Sequence, residues 1–124
     1  TLQVIQQLVP VLKKHQSQIV NLSGPNFAKP FYNPAAYRVS KIALNGLIKS
    51  IAIDFYNEKA PVEIYGIFPG GVTTDINNNR TGKFMKTVQE AGEQLMAIIF
   101  DGKDHNGDIV GADQKIISAV KFTM

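Results

Sequence analysis

The sequence predicts an α/β protein with a parallel sheet, and the order of its segments carries that prediction. Segments with helical spacing of apolar residues alternate three times with short β-branched runs, which is the pattern of an α/β domain. Because a helix lies between successive strands, the strands are expected to run parallel. A length of 124 residues fits one domain, and 44% apolar with 19% charged residues is ordinary for a globular chain.

The first helix is predicted over Thr1–Lys14, where apolar residues recur three and four positions apart. Pro10 lies inside this segment, so we expect either a kink there or a helix that begins one turn before it. No N-cap residue with a hydrophobic staple precedes the segment, which is typical of a helix cut from something longer. The run Gln18–Leu22 then predicts a buried strand, with a loop over Gly24–Phe31.

The second helix is the clearest in the sequence and is predicted over residues 34–57. Asn33 is a favourable N-cap and Pro34 a favourable first helical residue. Val62–Phe68 predicts the next strand, because a proline and two glycines stop it. The last elements follow in order: a polar loop over Asn77–Gly82, an amphipathic helix over Phe84–Phe100, a turn over Asp101–Gly107, and a short strand over Asp108–Gly111.

Composition excludes several classes of function. The net charge of +3 comes from scattered basic residues, whereas nucleic-acid surfaces cluster them, so nucleic-acid binding is not expected. The chain has no cysteine, which excludes disulfides and thiolate zinc sites. His15 and His105 have no partners at metal-ligand spacing, so no metal is expected. No signal-peptide pattern and no apolar run of ~20 residues is present, which predicts a cytoplasmic protein without membrane spans.

Tyr37 and Lys41 are four residues apart on the second helix, so their side chains share one face. Tyrosine ordinarily ionises near pH ~10, and a lysine ammonium a few ångströms away favours the phenolate. Such a pair is suited to general acid–base catalysis at neutral pH. A lone Tyr-x-x-x-Lys pair also arises by chance, with the tyrosine packed and the lysine solvated.

Four features follow one another in the sequence: a strand that ends in serine at Ser23, the run Tyr37-Arg38-Val39-Ser40-Lys41, the apolar helix that continues it, and Pro69-Gly70-Gly71-Val72-Thr73-Thr74 after the next strand. In this order they resemble the short-chain dehydrogenase/reductase family. The resemblance covers residues 1 to about 76. It implies the C-terminal half of a Rossmann-type doubly wound parallel sheet.

The resemblance also implies roles for particular residues. Tyr37 would exchange a proton with the substrate oxygen, Lys41 would assist it and hold the nicotinamide ribose, and Ser23 would hydrogen-bond the substrate oxygen. The cofactor would be NAD or NADP, and the substrate a small alcohol or carbonyl compound. The segment after the second strand would contact the cofactor through Pro69, Gly70, Val72 and Thr74.

Two departures from the family pattern leave alternatives open. The family's serine stands thirteen residues before the tyrosine, where this sequence has Gly24, and Ser23 lies one residue earlier. The family's glycine-rich turn, Thr-Gly-x-x-x-Gly-x-Gly, is absent, so residues 1–124 are expected to be a partial domain without the half that binds adenine and pyrophosphate. A catalytically silent binding or oligomerisation module is therefore the alternative to the enzyme.

The family resemblance further implies a homodimer or homotetramer, in which helix 34–57 and the helix that ends at Lys14 pair across a two-fold axis. Apolar residues on the second helix exceed what a single face needs, which favours such a partner. They are Leu44, Leu47, Ile48, Ile51 and Phe55. The substrate itself would contact Asp75–Phe100, a segment whose mixture of asparagine, phenylalanine and methionine does not identify it.

Overall fold

A computed structural model describes residues 2–23, 35–72 and 85–120. Three helices and six strands follow one another in these ranges: α1 Leu2–Leu12, β1 Ser17–Leu22, α2 Ala35–Glu58, β2 Val62–Phe68, β3 Gly71–Val72, β4 Met85–Lys86, α3 Val88–Ile99, β5 Ile109–Gly111 and β6 Ile116–Ser118. The predicted α/β class is confirmed. Within the described ranges, no helix is long and apolar enough to cross a membrane.

The main sheet has four strands in the order β1-β2-β5-β6. β1 pairs with β2 in parallel from Ser17↔Val62 to Leu22↔Ile67, and β2 pairs with β5 in parallel. β6 was not predicted from the sequence; it joins β5 antiparallel and makes the sheet mixed. The short β5–β6 connection explains this direction, because a parallel crossover needs a dozen or more residues. β1 is an edge strand within the described part of the chain.

Helices cover both faces of the sheet. On one face, α2 and α1 pack against β1, β2 and β5 in a core of aliphatic residues and one phenylalanine: Ile5, Ile48, Ile51, Ala52, Phe55, Val62, Ile64 and Ile109. On the other face, Ile98 of α3 packs against Tyr65, Ile67 and Val110. The β-branched residues of β2 are buried on both faces, as expected for a central strand between two helical layers.

Several apolar residues of α2 suggested a partner subunit in the sequence. In the structure they belong to this core or pack against it. Ile48, Ile51 and Phe55 are buried in it, and Leu44 and Leu47 pack against it. A parallel sheet offers a broad apolar surface, so one face of α2 occupies a wider stripe than the sequence argument allowed. The large apolar residues that α2 leaves exposed are different ones, among them Val39, Ile42 and Ile53.

The boundaries of the predicted helices and strands agree with the structure to within two residues, except at the start of the third helix. α3 begins at Val88, four residues after the predicted Phe84, because Thr87 caps it: the Thr87 side chain accepts a hydrogen bond from the Glu90 amide at 3.1 Å. Met85–Lys86 instead pairs with Gly71–Val72 as a small parallel ladder. α1 runs through Pro10 and ends at Leu12. The predicted loops at 24–31 and 77–82, and Phe84 itself, lie outside the described residues.

Candidate active site

The candidate site lies at the carboxyl ends of β1 and β2. Ser23 directly follows β1, and Pro69 and Gly70 directly follow β2. The first turns of α2, which carry Tyr37 and Lys41, lie over the same end of the sheet, because the Lys41 ammonium contacts the last residue of β1. In open parallel sheets this is the end at which ligands bind.

Tyr37 and Lys41 lie together as their spacing predicted. The Lys41 ammonium nitrogen is 5.7 Å from the centre of the Tyr37 ring, within the range of a favourable cation–aromatic contact. Tyr37 is 47% exposed, so its phenol is open to solvent. In the same turn, the Ser40 hydroxyl donates a hydrogen bond to the Tyr37 carbonyl oxygen at 2.7 Å. The pair therefore combines a proton-carrying phenol with a fixed positive charge.

Lys41 also connects α2 to the sheet. Its ammonium donates a hydrogen bond to the Leu22 carbonyl oxygen at 3.2 Å. An ammonium group has three N–H donors, and this bond uses one of them. The positive charge of Lys41 is thereby held beside the end of β1, next to Ser23.

Ser23 faces α2 and is 6% exposed. Its amide donates a hydrogen bond to the Ile67 carbonyl oxygen at 2.8 Å, which extends the β1–β2 pairing by one residue. Its hydroxyl donates a hydrogen bond to the side-chain oxygen of Asn45. Ser23 is thus fixed at both its backbone and its side chain.

Sequence reasoning missed Asn45, which is 2% exposed and lies one turn after Lys41. An amide among the otherwise apolar buried residues of α2 was the available signal, because such a group is retained only with a hydrogen-bond partner. The partner was not identifiable, since Ser23 and Asn45 are 22 residues apart and meet only in the fold.

Gly66, in the middle of β2, makes room for Ser23. A β-carbon added to Gly66 would lie 3.0 Å from the β-carbon of Ser23 and 2.9 Å from the δ-carbon of Ile109. Both distances are shorter than carbon atoms tolerate without displacement. Glycine at this position therefore allows β1 and β2 to hold Ser23 against α2.

The remaining predicted cofactor contacts are only partly described. Gly70 has a positive φ of 77°, a conformation that glycine adopts without steric cost, and it turns the chain after Pro69. The backbone of Val72 pairs with Lys86 in the small ladder. Thr74 and Gly24 lie outside the described residues.

A second polar cluster lies at the opposite end of the sheet. The ring of His105 is buried between two carboxylates, with Nε2 2.7 Å from Asp101 and Nδ1 3.5 Å from Asp108. The Lys49 ammonium donates to the Gly107 carbonyl oxygen at 3.1 Å. Burial raises the pKa of Asp108 and lowers that of Lys49. Sequence reasoning gave this segment only as a polar turn.

Glu63 on β2 belongs to this cluster. Its carboxylate accepts a hydrogen bond from the His105 amide at 3.1 Å. Burial, and then a hydrogen bond with Asp104, raise the pKa of Glu63 to about 7. A groove of about 920 Å³, whose lining includes Glu63 and Phe100, opens here and contains neither Tyr37 nor Lys41. Among the described residues, no three or more histidine or acidic side chains are arranged to hold a metal ion.

Comparison with known proteins gives two results. The family model for short chain dehydrogenases matches residues 1–84. The fold is similar to that of an NADPH-bound carbonyl reductase from chicken fatty liver, with a TM-score of 0.81 and 22% identity over 94% of this chain and 52% of that one. It is also similar to the carbonyl reductase Sniffer of D. melanogaster, with a TM-score of 0.73 and 25% identity over 92% of this chain and 50% of that one.

The chain therefore spans about half the length of both solved structures. No curated protein matches the sequence. The likeness to the chicken enzyme, at 22% identity, concerns the fold alone.

Proposed function

Because the chain belongs to the short-chain dehydrogenase family, we propose that it takes part in moving a hydride between NAD(H) or NADP(H) and an alcohol/carbonyl pair. The observation that carries this proposal is the position of the Lys41 ammonium, beside the Tyr37 ring and bonded to the end of β1. The two solved relatives are carbonyl reductases by name, which favours a small carbonyl compound as substrate.

In this proposal Tyr37 is the general acid and base. When a carbonyl is reduced, the phenol gives its proton to the substrate oxygen, and it takes a proton from the alcohol in the reverse direction. The half-exposed phenol is accessible to a substrate oxygen, which general acid–base catalysis requires. A nicotinamide cofactor supplies or accepts the hydride when it is bound.

Lys41 is proposed to assist the proton transfer by Tyr37, because its ammonium lies 5.7 Å from the centre of the Tyr37 ring. Its hydrogen bond to Leu22 leaves two of the three N–H donors for other acceptors, and we assign them to the ribose hydroxyls of the cofactor. The Lys41 ammonium, as a donor to hydroxyl oxygens, therefore fits the ribose of a nicotinamide nucleotide. Pro69, Gly70 and the backbone of Val72, with Thr74, are proposed to hold the carboxamide side.

Ser23 is proposed to hydrogen-bond the substrate oxygen. Its place beside the carbonyl that binds Lys41 supports this role. The silent-module alternative is favoured by a specific observation as well: the position thirteen residues before Tyr37, where the family's serine stands, holds glycine.

We further propose that the chain supplies the second half of a Rossmann-type domain, and that the subunit forms a homodimer or homotetramer. The match to about half of each solved relative supports the first point. Exposed apolar residues of α1 and α2 support the second point, because soluble proteins rarely leave large apolar patches uncovered. They include Val4, Leu8, Val11, Val39 and Ile42.

Tyr37→Phe tests the catalytic proposal. We expect turnover of carbonyl compounds with NADPH or NADH to fall by at least about a hundredfold, because the proton donor is lost. Cofactor affinity, measured by fluorescence titration, is expected to change little, since the ring and Lys41 remain.

Tyr56→Phe is the matched control. Tyr56 is also about half exposed and lies on the same helix, but nineteen residues later, which is about 28 Å along the axis. This variant is expected to retain full turnover. The acid–base assignment is wrong if Tyr37→Phe retains more than about a tenth of the parent rate, a smaller loss than removing a general acid ordinarily causes.

A further inference from the structure

Asn45 is the one fully buried polar side chain in the described part of α2. It lies between the turn that carries Lys41 and the apolar residues that face the sheet. Burying an amide costs several kcal/mol unless it is hydrogen-bonded, whereas a leucine of similar size costs nothing there. A chain that keeps an amide at this position is therefore expected to use its hydrogen bonds.

Those bonds lead to the candidate site. Asn45 follows Lys41 by one helical turn, and the two side chains contact consecutive residues at the end of β1. Lys41 donates to the Leu22 carbonyl oxygen, and Asn45 accepts from the Ser23 hydroxyl. The catalytic turn of α2 is thus joined to the end of β1 at two adjacent points.

We propose that Asn45 is a positioning residue of the active site, which sets the orientation of the Ser23 hydroxyl and thereby its hydrogen bond with the substrate oxygen. The inference rests on the proposed function, since it assumes that Ser23 contacts substrate. Asn45 itself is buried and contacts Ser23. It acts through the serine.

The chemistry of an amide suits this role. A serine hydroxyl has a single hydrogen. While Ser23 gives that hydrogen to the Asn45 oxygen, its own oxygen can accept a bond from a substrate alcohol. If the amide turns by half a rotation, its NH₂ donates to Ser23, and the serine hydrogen becomes available for a substrate carbonyl. Asn45 therefore supports both the alcohol and the carbonyl form of a substrate.

Two substitutions separate this role from plain packing. Asn45→Leu keeps the volume and removes both hydrogen-bonding modes. Asn45→Asp keeps both modes while the introduced carboxyl is protonated, and only the accepting mode once it ionises. Because burial opposes ionisation of a carboxyl, that change is expected within the ordinary assay range.

The experiment measures kcat, KM, cofactor affinity and melting temperature in five variants. They are Asn45→Leu, Asn45→Asp, Ser23→Ala, the double variant Ser23→Ala/Asn45→Leu, and the control Ile51→Val, which trims a buried side chain elsewhere on α2. We expect Asn45→Leu to lower kcat about tenfold, the effect of about one hydrogen bond, with cofactor affinity unchanged. Asn45→Asp should retain most of the rate at low pH and show a new loss of kcat at higher pH.

The double variant gives the decisive comparison. If Asn45 acts through the serine, Asn45→Leu has no further effect on kcat once Ser23 is alanine. Ile51→Val should lower the melting temperature and leave kcat unchanged. An Asn45→Leu variant that melts earlier but keeps its kcat overturns the inference, and so does an effect that multiplies with that of Ser23→Ala.

Failure of the proposed function has a different signature. In that case the parent protein shows no cofactor-dependent turnover, or Tyr37→Phe retains it, and the positioning role is overturned together with the catalytic one. If Tyr37→Phe is inactive while both Asn45 variants behave as the parent does at every pH, only the inference about Asn45 is wrong.

Discussion

Glu63→Gln is expected to stabilise the protein at neutral and alkaline pH but not in acid. Glutamine resembles the protonated glutamic acid in size, and its oxygen can still accept the hydrogen bond that the His105 amide gives to Glu63. It cannot ionise. The substitution therefore isolates the effect of placing a carboxylate in the polar cluster at the amino end of β2.

The sign follows from the pKa of Glu63, which burial and the neighbouring Asp104 raise from 4.5 in a free side chain to about 7 in the fold. Between these values the folded chain holds a proton that the unfolded chain has released. Stability is therefore greatest below about pH 4.5 and declines until the folded carboxyl ionises near pH 7. The stability of the Glu63→Gln variant has no such decline with pH, because glutamine does not ionise.

The expected gain in the free energy of unfolding is moderate, because Glu63 is only half-buried. A change in pKa of this size corresponds to at most about 3 kcal/mol of folding stability, and solvent screening reduces this to roughly 1 kcal/mol. We expect the variant to exceed the parent by about this amount at pH ~8 and to equal it at pH ~4. Urea unfolding followed by circular dichroism at a series of pH values measures the difference.

Glu93→Gln is the matched control, since Glu93 is an exposed residue of α3. It should leave the pH dependence of unfolding as it is in the parent. A constant difference between Glu63→Gln and the parent from pH ~4 to pH ~8 would show that the carboxylate is not disfavoured by the fold, and the account of this cluster would be wrong.

Three further predictions concern packing and assembly. Gly66→Ala should lower the free energy of unfolding by about 1–3 kcal/mol, because the added carbon meets Ser23 and Ile109. Gly92 has open space around it within α3, so Gly92→Ala should raise the free energy of unfolding by up to about 1 kcal/mol. Equal effects of the two substitutions in chemical unfolding would refute this prediction. Asn106→Ala should lower the free energy of unfolding by about 2 kcal/mol in the same assay. The reason is that the Asn106 side chain accepts a hydrogen bond from the Ile64 amide at 2.9 Å and donates one to the Ala52 carbonyl oxygen at 3.0 Å. A loss under about 0.5 kcal/mol would contradict this prediction. The protein should be at least a dimer in light scattering at micromolar concentration, and a monomer there would contradict the proposed assembly.

The elements with strong local signals could be predicted from the sequence. β2 has the predicted bounds, because a β-branched run is followed directly by Pro69 and Gly70, which cannot continue a strand in this setting. α2 was predicted to within one residue at each end. Tyr37 and Lys41 were brought together correctly because both lie on one helix, where spacing alone fixes their relation.

Features that depend on distant contacts could not be predicted. The start of α3 is set by the Thr87 cap, which competes with an apolar pattern that extends back to Phe84. β6 is a strand only because β5 offers it an edge, and its two isoleucines are exposed. The roles of Asn45 and Gly66 depend on contacts between β1, β2 and α2. A short stretch of sequence does not predict such contacts.

Three polar residues of α2 share one arrangement that connects the fold with the candidate site. Lys41, Asn45 and Lys49 follow one another at intervals of four residues, so they form a line along the helix. In order, they bond Leu22 and Ser23 at the end of β1, and Gly107 before β5. Apolar packing against a sheet does not by itself fix the position of a helix along its axis.

These three hydrogen bonds do fix it, because a shift of α2 by one turn would place each polar group against a different partner. Leaving the buried Asn45 unpaired would cost about 1–3 kcal/mol, and the two half-buried lysines would lose their carbonyl partners as well. The line thereby determines where Tyr37, four residues before Lys41, stands relative to the carboxyl end of the sheet. The position of Tyr37 relative to the sheet is accordingly a property of the whole helix, to which Lys49 contributes from the far end of the line.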